Sequence, residues 1–489
     1  MTLRPQSADR GVEVRLEALV REAWRQALIT GHPVVASLVE PSPPLDPLAV
    51  FARLPAGLAR VLWKGAEGRV LVGLGDALVL TQSHPPADSY LSGDHTVSPA
   101  WMARVWRSLT ARALVVAPAD VAHSAGPLLI GGFAFDPLQP RVPVWQDFPA
   151  ARLCLPRLLL LGERDRWWVV STLLVQPGTD LPSQLEDVQR LRSLLAVSGA
   201  TSHTPGIPAT GAKRLTAGRR ELCDLDCWRA MVEQAIERIR HGDLLKVVLA
   251  RAVEVTCWGS IDVERVLRSL DAGYPACTLF AFHAGDAVFL GATPERLIRL
   301  HRRRVETIAL AGSTRRGTTP EEDAALAGTL LASAKDRREH AVVVDEIRAA
   351  LAPLCHALVI PEEPSLLSVR NVHHLATPIS GELAGDHTVL ELVERLHPTP
   401  AVGGAPRANA LAFIRAHEPV DRGWYAGPVG WVDCAGEGEF AVALRSGLIR
   451  GRTAHLYAGC GILADSDPEA EYAESELKLQ PLLRALEGA

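Results

Sequence analysis

The sequence predicts an α+β fold, with antiparallel strands and helices interspersed rather than strictly alternating. Three observations carry this expectation. Near the C-terminus the strand-like runs GPVGWVDC, GEFAVALRSGLIRG and RTAHLYAGCGIL follow one another across short turns, as in an antiparallel meander. Helical periodicity is expected at 11–31, 223–243, 321–352 and 468–487, at irregular intervals among the strands. The first half of the chain is rich in strand-like runs and poor in helical ones.

In chain order, the helix at 11–31 is followed by the runs HPVVASLVE, RVLWKG, RVLVGLG and ALVLTQ. LLIGGFAFDP then reads as a central strand in which Gly131 and Gly132 permit close backbone approach. RLCLPRLLLLGE and RWWVVSTLLV are spaced as a hairpin. From about residue 197 the composition changes to SGATSHTPGIPATGAKR, a Gly-, Ser-, Thr- and Pro-rich stretch expected to be a loop. It divides the chain into an N-terminal region, 1–214, and a C-terminal region, 215–489. Beyond it, CDLDCWRAMVEQAIERIRHGD gathers Ala230, Val232, Ala235, Ile236 and Ile239 near one helical face. LLKVVLARAVEV, CTLFAFHAG, AVFLGATP and RRVETIALAG are the next strand candidates.

A chain of 489 residues, 48% of them hydrophobic, has ample material for a core. The net charge of −5 and the lack of a long basic block argue against nucleic-acid binding. No apolar run reaches the ~18–20 residues that span a bilayer. The opening residues do not combine a basic segment with an apolar core, so a secretory signal is not expected and a cytoplasmic location is. Eight cysteines are scattered through the chain, as suits reduced thiols. Cys223 and Cys227 are the nearest pair, without a second pair at zinc spacing.

Two carboxylate pairs stand out. Asp336 and Glu339 flank the apolar stripe of the helix at 321–352. Glu471 and Glu474 share a face with Lys478 on the last helix, which Ser466 and Glu469 could cap, with Pro468 in its first turn. Two such helices could hold a hard cation between them, since carboxylate oxygens suit magnesium; solvated faces with local ion pairs would read the same way. Lys246 lies in the apolar run LLKVVLA, where burial would favour a neutral amine able to act as a base, or where its head could snorkel to water. Thr293 and Pro294 could begin a short helix with Glu295 in its first turn, a candidate general acid. Turns at Gly312-Ser313 and at Gly459 and Gly461 could present amides to a carboxylate, and Arg445, expected within a strand, could grip one in bidentate fashion. Each has a plainer reading as a tight turn or an edge position.

The order and residue types of KVVLAR, GATPERL, LAGSTRRG, SAKDRREH, VHHLATPISGEL, LHPTPAVGGAPR, RGWYAGPVGW, FAVALRSG and AGCGILADSDPEAEYAESELK resemble the chorismate-utilising enzymes. The resemblance is strong over 226–485; GGFAFDP and LPRLLLL extend it into the first half. It implies one large unit of two packed antiparallel sheets with helices outside, the N-terminal region completing the core of a catalytic region at 215–489. It also implies Mg2+ held by Glu339 and Glu474, with Asp336 and Glu471 in support. The substrate would be chorismate, its pyruvyl carboxylate at Arg445, Tyr425 and Gly461. Gly312, Ser313 and Lys478 would line the ring side, and His374 would lie near the enolpyruvyl group.

Within the family the chain resembles the isochorismate synthase branch, which adds water. Anthranilate synthases typically carry glutamine where Lys246 stands, and aminodeoxychorismate synthases often carry lysine where Ala311 stands. Branches that expel pyruvate usually carry threonine in place of Ala401. RGWYAG is closer to the menaquinone-pathway type, with siderophore synthesis as the other destination. Salicylate formation and a non-catalytic chorismate-binding role are the alternatives. An ammonia-supplying amidotransferase is not expected, and a monomer is.

Overall fold

The computed structural model describes residues 7–55, 57–82, 98–119, 121, 125–139, 142–199, 216–370 and 372–487. Its strands pair antiparallel almost throughout; the parallel pair is Val34–Ser42 with Leu114–Val116. Two long neighbours, Arg69–Gln82 and Ala151–Glu163, form the seam from which two sheets diverge. One sheet continues through Arg60–Lys64, Thr278–Ala284, Ala287–Thr293, Ser446–Arg450 and Thr453–Ile462 to Lys246–Cys257. The other runs from Ala151–Glu163 through Leu128–Phe133, Pro428–Asp433, Gly438–Val442, Arg296–His301 and Arg304–Arg315 to Val372–Leu383. Residues from the first 214 thus lie inside both sheets, hydrogen-bonded to strands from the second half.

Period-two alternation separates the faces. Phe280, Phe282 and Phe289 join Ile298, Phe440 and Trp431 in the core between the sheets. Leu279, Ala281, Val288 and Leu290 point the other way and pack with helix residues such as Val266, Leu270, Leu479 and Leu482. The inner core is aromatic: Trp145, Phe148, Phe289 and Trp424 meet edge to face at centroid distances of 5.2–6.3 Å. Such contacts add to the burial of large apolar surfaces.

Gly131 shows why the sheet needs a bare backbone. A Cβ there would lie 1.9 Å from the Arg152 carbonyl oxygen, and one at Gly132 would lie 2.7 Å from the Trp424 ring. The expected central strand with close approach is therefore found at Leu128–Phe133. RVLVGLG and ALVLTQ are one strand, with a register shift between Asp76 and Leu78. Pro156 sits opposite Asp76 at that irregularity, where its missing N–H costs the ladder least.

Several expectations need correction. The helix expected at 321–352 is two, Pro320–Ala332 and Ala334–Leu351. Ser333, with ψ 112°, leaves helical geometry, and its hydroxyl accepts a bond from the Asp336 amide, opening the second helix. The first half holds additional helices at Pro47–Ala52, Pro99–Thr110 and Leu181–Gly199. Asp46-Pro47 and Ser98-Pro99 are cap-plus-proline signals that announce the first two. Cys223 and Cys227 are disulfide-bonded rather than reduced, because the first turn of the Leu225–Arg240 helix carries Cys227 back over Cys223, Cα–Cα 5.5 Å. The expected loop at 197–214 falls mostly on residues outside those described, its first three residues ending the Leu181–Gly199 helix. Among the described residues no helix is long and apolar enough to cross a membrane.

Replacing Gly131 with alanine should lower stability by about 1–3 kcal/mol, since the backbone of the facing strand has no room to retreat. An unchanged thermal unfolding midpoint in Gly131→Ala would contradict this packing account.

Candidate active site

Lys246 opens the Lys246–Cys257 strand and is 1% exposed. Burial comes with a partner: its Nζ lies 2.7 Å from Glu339 Oε1. A Cβ on Gly461 would stand 2.4 Å from that Glu339 oxygen and 2.8 Å from Lys246 Cε. Gly461 and Gly459 lie within the Thr453–Ile462 strand, paired with Val248 and Ala250, and not at a turn as expected. The glycine at 461 makes room for an ion pair; it does not expose a loop of amides.

Glu295 is not in a helix. It follows Pro294 in the link between Ala287–Thr293 and Arg296–His301. Its backbone is fixed at both ends: its N–H donates to Thr293 Oγ1, 3.2 Å, and its carbonyl accepts from the Val442 N–H, 3.0 Å. The residue is 6% exposed. Burial pushes its pKa up to about 7, against the pull of Lys246, Arg445 and Lys478.

Gly312 adopts φ +78° at a bulge in Arg304–Arg315, between Ala311 and Ser313. The bulge brings Gly312 against Asp336, whose Cβ would be 3.0 Å from an added Cβ. Ser313 Oγ lies 2.8 Å from His374 Nδ1 on the neighbouring strand. The other ring nitrogen, Nε2, is buried without a partner among the described residues. Burial holds His374 well below the ordinary histidine range, so the ring is neutral.

Arg445 lies between strands, not within one. The run GEFAVALRSGLIRG splits into Gly438–Val442 and Ser446–Arg450, with Arg445 at φ +50° in the link. Ala426 is likewise left-handed, at φ +60°. Non-glycine residues there cost about 1 kcal/mol or more, and such strain concentrates where a surrounding site enforces it. Next to Ala426, Tyr425 is buried and stacked on Tyr457, centroids 5.2 Å apart.

The last helix, Pro468–Glu487, starts from Asp467, whose carboxylate accepts the Ala470 N–H at 2.8 Å. The expected cap, Ser466, instead donates to Glu471 Oε1, 2.8 Å. Burial and the adjacent Glu474 push Glu471 up to about 7. Asp336 is also raised, by burial against a Ser333 hydrogen bond and then by Glu339 and Glu474. Lys478 pairs with Glu474 at 2.7 Å and donates to the Gly459 carbonyl at 2.8 Å.

All the residues nominated from sequence line one cavity: Lys246, Glu295, Gly312, Ser313, Asp336, Glu339, His374, Ala401, Tyr425, Arg445, Gly461, Glu471, Glu474 and Lys478. Lys335 and Arg422 also line it and were not singled out. Both stand inside the motifs already quoted, SAKDRREH and RGWYAGPVGW, which was the available signal.

Asp336 and Glu339 on one helix face Glu471 and Glu474 on another; like charge from Glu339 and Glu474 adds to the raised proton affinity of Asp336, and like charge from Glu474 to that of Glu471. That repulsion, with oxygen donors throughout, fits a hard divalent cation such as magnesium. Cys460 Sγ lies within 4.8 Å of the Glu471 and Glu474 oxygens. Burial holds its thiol well above the ordinary range, and the protonated sulfur donates to the Glu471 carbonyl. A protonated thiol already bonded to a backbone carbonyl does not suit a hard ion.

Residues 22–487 match the family described as Chorismate binding enzyme. The chain is 39% identical over 471 residues to the "Salicylate biosynthesis isochorismate synthase" of Pseudomonas aeruginosa, covering 96% of this chain and 94% of that one. It is 35% identical over 475 residues to "Isochorismate synthase MenF" of Bacillus subtilis, covering 96% and 97%. Among solved structures it resembles MenF, the menaquinone-specific isochorismate synthase from Escherichia coli, with TM-score 0.74, 27% identity and coverage of 96% and 99%. With the two-sheet fold and a cavity lined by the motif residues, these likenesses place the chain in the chorismate-binding enzyme family.

Proposed function

We propose that this protein is an isochorismate synthase, which converts chorismate to isochorismate reversibly by adding water at C2 and losing the C4 hydroxyl. The observation that carries this is the pairing in one cavity of a buried amine, Lys246, with a carboxyl, Glu295, whose pKa is raised to about 7. A general acid must hold a proton at working pH, and burial supplies that condition at Glu295.

In the proposed reaction Lys246 takes a proton from water as the water oxygen bonds to C2. The ring double bonds shift, the C4–O bond breaks, and Glu295 gives its proton to the departing hydroxyl, which leaves as water. The base role needs Lys246 as the neutral amine, so before the reaction its extra proton has to pass to solvent and its 2.7 Å contact with Glu339 has to open. Arg445, whose side chain makes no hydrogen bond among the described residues, and Tyr425 are the proposed contacts for the pyruvyl carboxylate. The unpartnered Nε2 of His374 is available to the enolpyruvyl group. Glu339 and Glu474, with Asp336 and Glu471, would hold Mg2+, which when bound fixes the ring carboxylate and offsets charge developing there. Ala401 lines the cavity, at the position where the pyruvate-expelling branches usually carry threonine.

Purified protein with chorismate and Mg2+, without ammonia, should give isochorismate as its main product. Salicylate and pyruvate as the main products would move it to the salicylate branch. Lys246→Gln should lower kcat by about 10²–10⁴-fold; turnover at the wild-type rate would remove Lys246 as the base.

The pH dependence has a defined sign. Glu295 acts while protonated and its pKa is raised to about 7. kcat/KM for isochorismate formation should therefore fall as pH rises through about 7, and Glu295→Gln should abolish that limb along with most of the rate. A limb that survives in Glu295→Gln would assign the ionisation to another group.

A further inference from the structure

Three lysines face the four carboxylates, and they are not held alike. Lys246 is buried and set against Glu339; Lys478 is fixed by both Glu474 and the Gly459 carbonyl. Lys335 stands in the first turn of the Ala334–Leu351 helix, its side chain 35% exposed. Its contact is longer: Nζ lies 3.5 Å from Glu471 Oε1, at the start of the opposing helix. It also lies near enough to Asp465, Glu339 and Asp336 to feel their charge. Lys335 is thus a loosely held cation across the mouth of the acidic gap, with water available to receive its head group.

Resting on the reading of this cluster as a divalent-cation site, we propose that Lys335 is a tethered placeholder for the metal. It bridges the two acidic helices before the ion arrives and is displaced when the ion binds Glu471 and its neighbours. The geometry supports an exchange. Lys335 Nζ reaches Glu471 Oε1 from the facing helix, so it puts positive charge against an oxygen that the ion would also take, and its half-exposed side chain has water to move into. Metal binding therefore includes the cost of expelling Lys335, so this residue weakens the affinity of the site it belongs to.

The test is calorimetric titration of Mg2+ into the full-length wild type, Lys335→Gln and Lys335→Arg. Lys335→Gln should bind Mg2+ about two- to tenfold more tightly, the range expected for removing a partly exposed competing charge. Lys335→Arg keeps the charge and should bind as the wild type does. Without metal, Lys335→Gln should melt below the wild type and gain more in midpoint on adding Mg2+. Equal or weaker binding by Lys335→Gln, or equally tight binding by Lys335→Arg and Lys335→Gln, overturns the proposal. If the wild type itself takes up no Mg2+, the cation reading of the cluster falls with it, and that failure is visible in the wild-type titration alone.

Discussion

The ion pair between Lys246 and Glu339 reaches across space that Gly461 leaves empty, and the site is arranged around it. A charge removed from water costs several kcal/mol unless it is paired. Here the pair draws on separate parts of the fold. Lys246 comes from the first residue of a strand paired on both sides, Glu339 from a helix that begins only because Ser333 interrupts the preceding one, and Gly461 from the strand alongside Lys246. Any displacement among these elements would leave a buried charge uncompensated, so the pair makes their relative placement stringent. Glycine is required at 461 by the volume that Glu339 and Lys246 occupy.

Around that pair the site holds groups in states that water would not favour. Glu295 and Glu471 have raised proton affinity, His374 is neutral with one nitrogen unpartnered, and Arg445 and Ala426 hold left-handed backbone. Each is unfavourable alone. The surrounding sheets tolerate them because the aromatic core and the strand ladders supply far more stabilisation than one strained residue removes. That core depends on the first half of the chain. Trp145 and Phe148 pack against Phe289 and Trp424, and Leu128–Phe133 pairs with Pro428–Asp433, just beyond Tyr425 and Ala426. The divergent N-terminal region therefore supports the site by packing, although the nominated residues all lie beyond residue 245.

Much of the fold was legible. The strand runs, the hairpin, the final helix and the close approach at Gly131 follow from periodicity and residue size, which act locally. Helices at Pro47–Ala52 and Pro99–Thr110 were legible too, through Asp46-Pro47 and Ser98-Pro99, but their short apolar stripes hid them. The break at Ser333 escaped because Leu326 and Leu330 before it and Val344 and Ile347 after it keep one helical phase, and only the cap geometry marks the interruption. At 295 a Thr-Pro-Glu sequence suited a helix start, yet Arg296–His301 is drawn into a sheet by pairing with Gly438–Val442. Long-range pairing outweighed local propensity there.

The sequence by itself determined the residue types of the site, their order and the family they resemble, because motif identity does not depend on where the chain goes. It also determined that two helices would each carry an acid pair, because helical spacing is local. It did not determine that those pairs face each other, that Lys246 is buried against Glu339, or that Glu295 is dry enough to hold a proton near pH 7. These depend on burial and on contacts between residues tens to hundreds of positions apart. Desolvation and charge pairing are properties of assembled surroundings, and only the packed tertiary structure decides them.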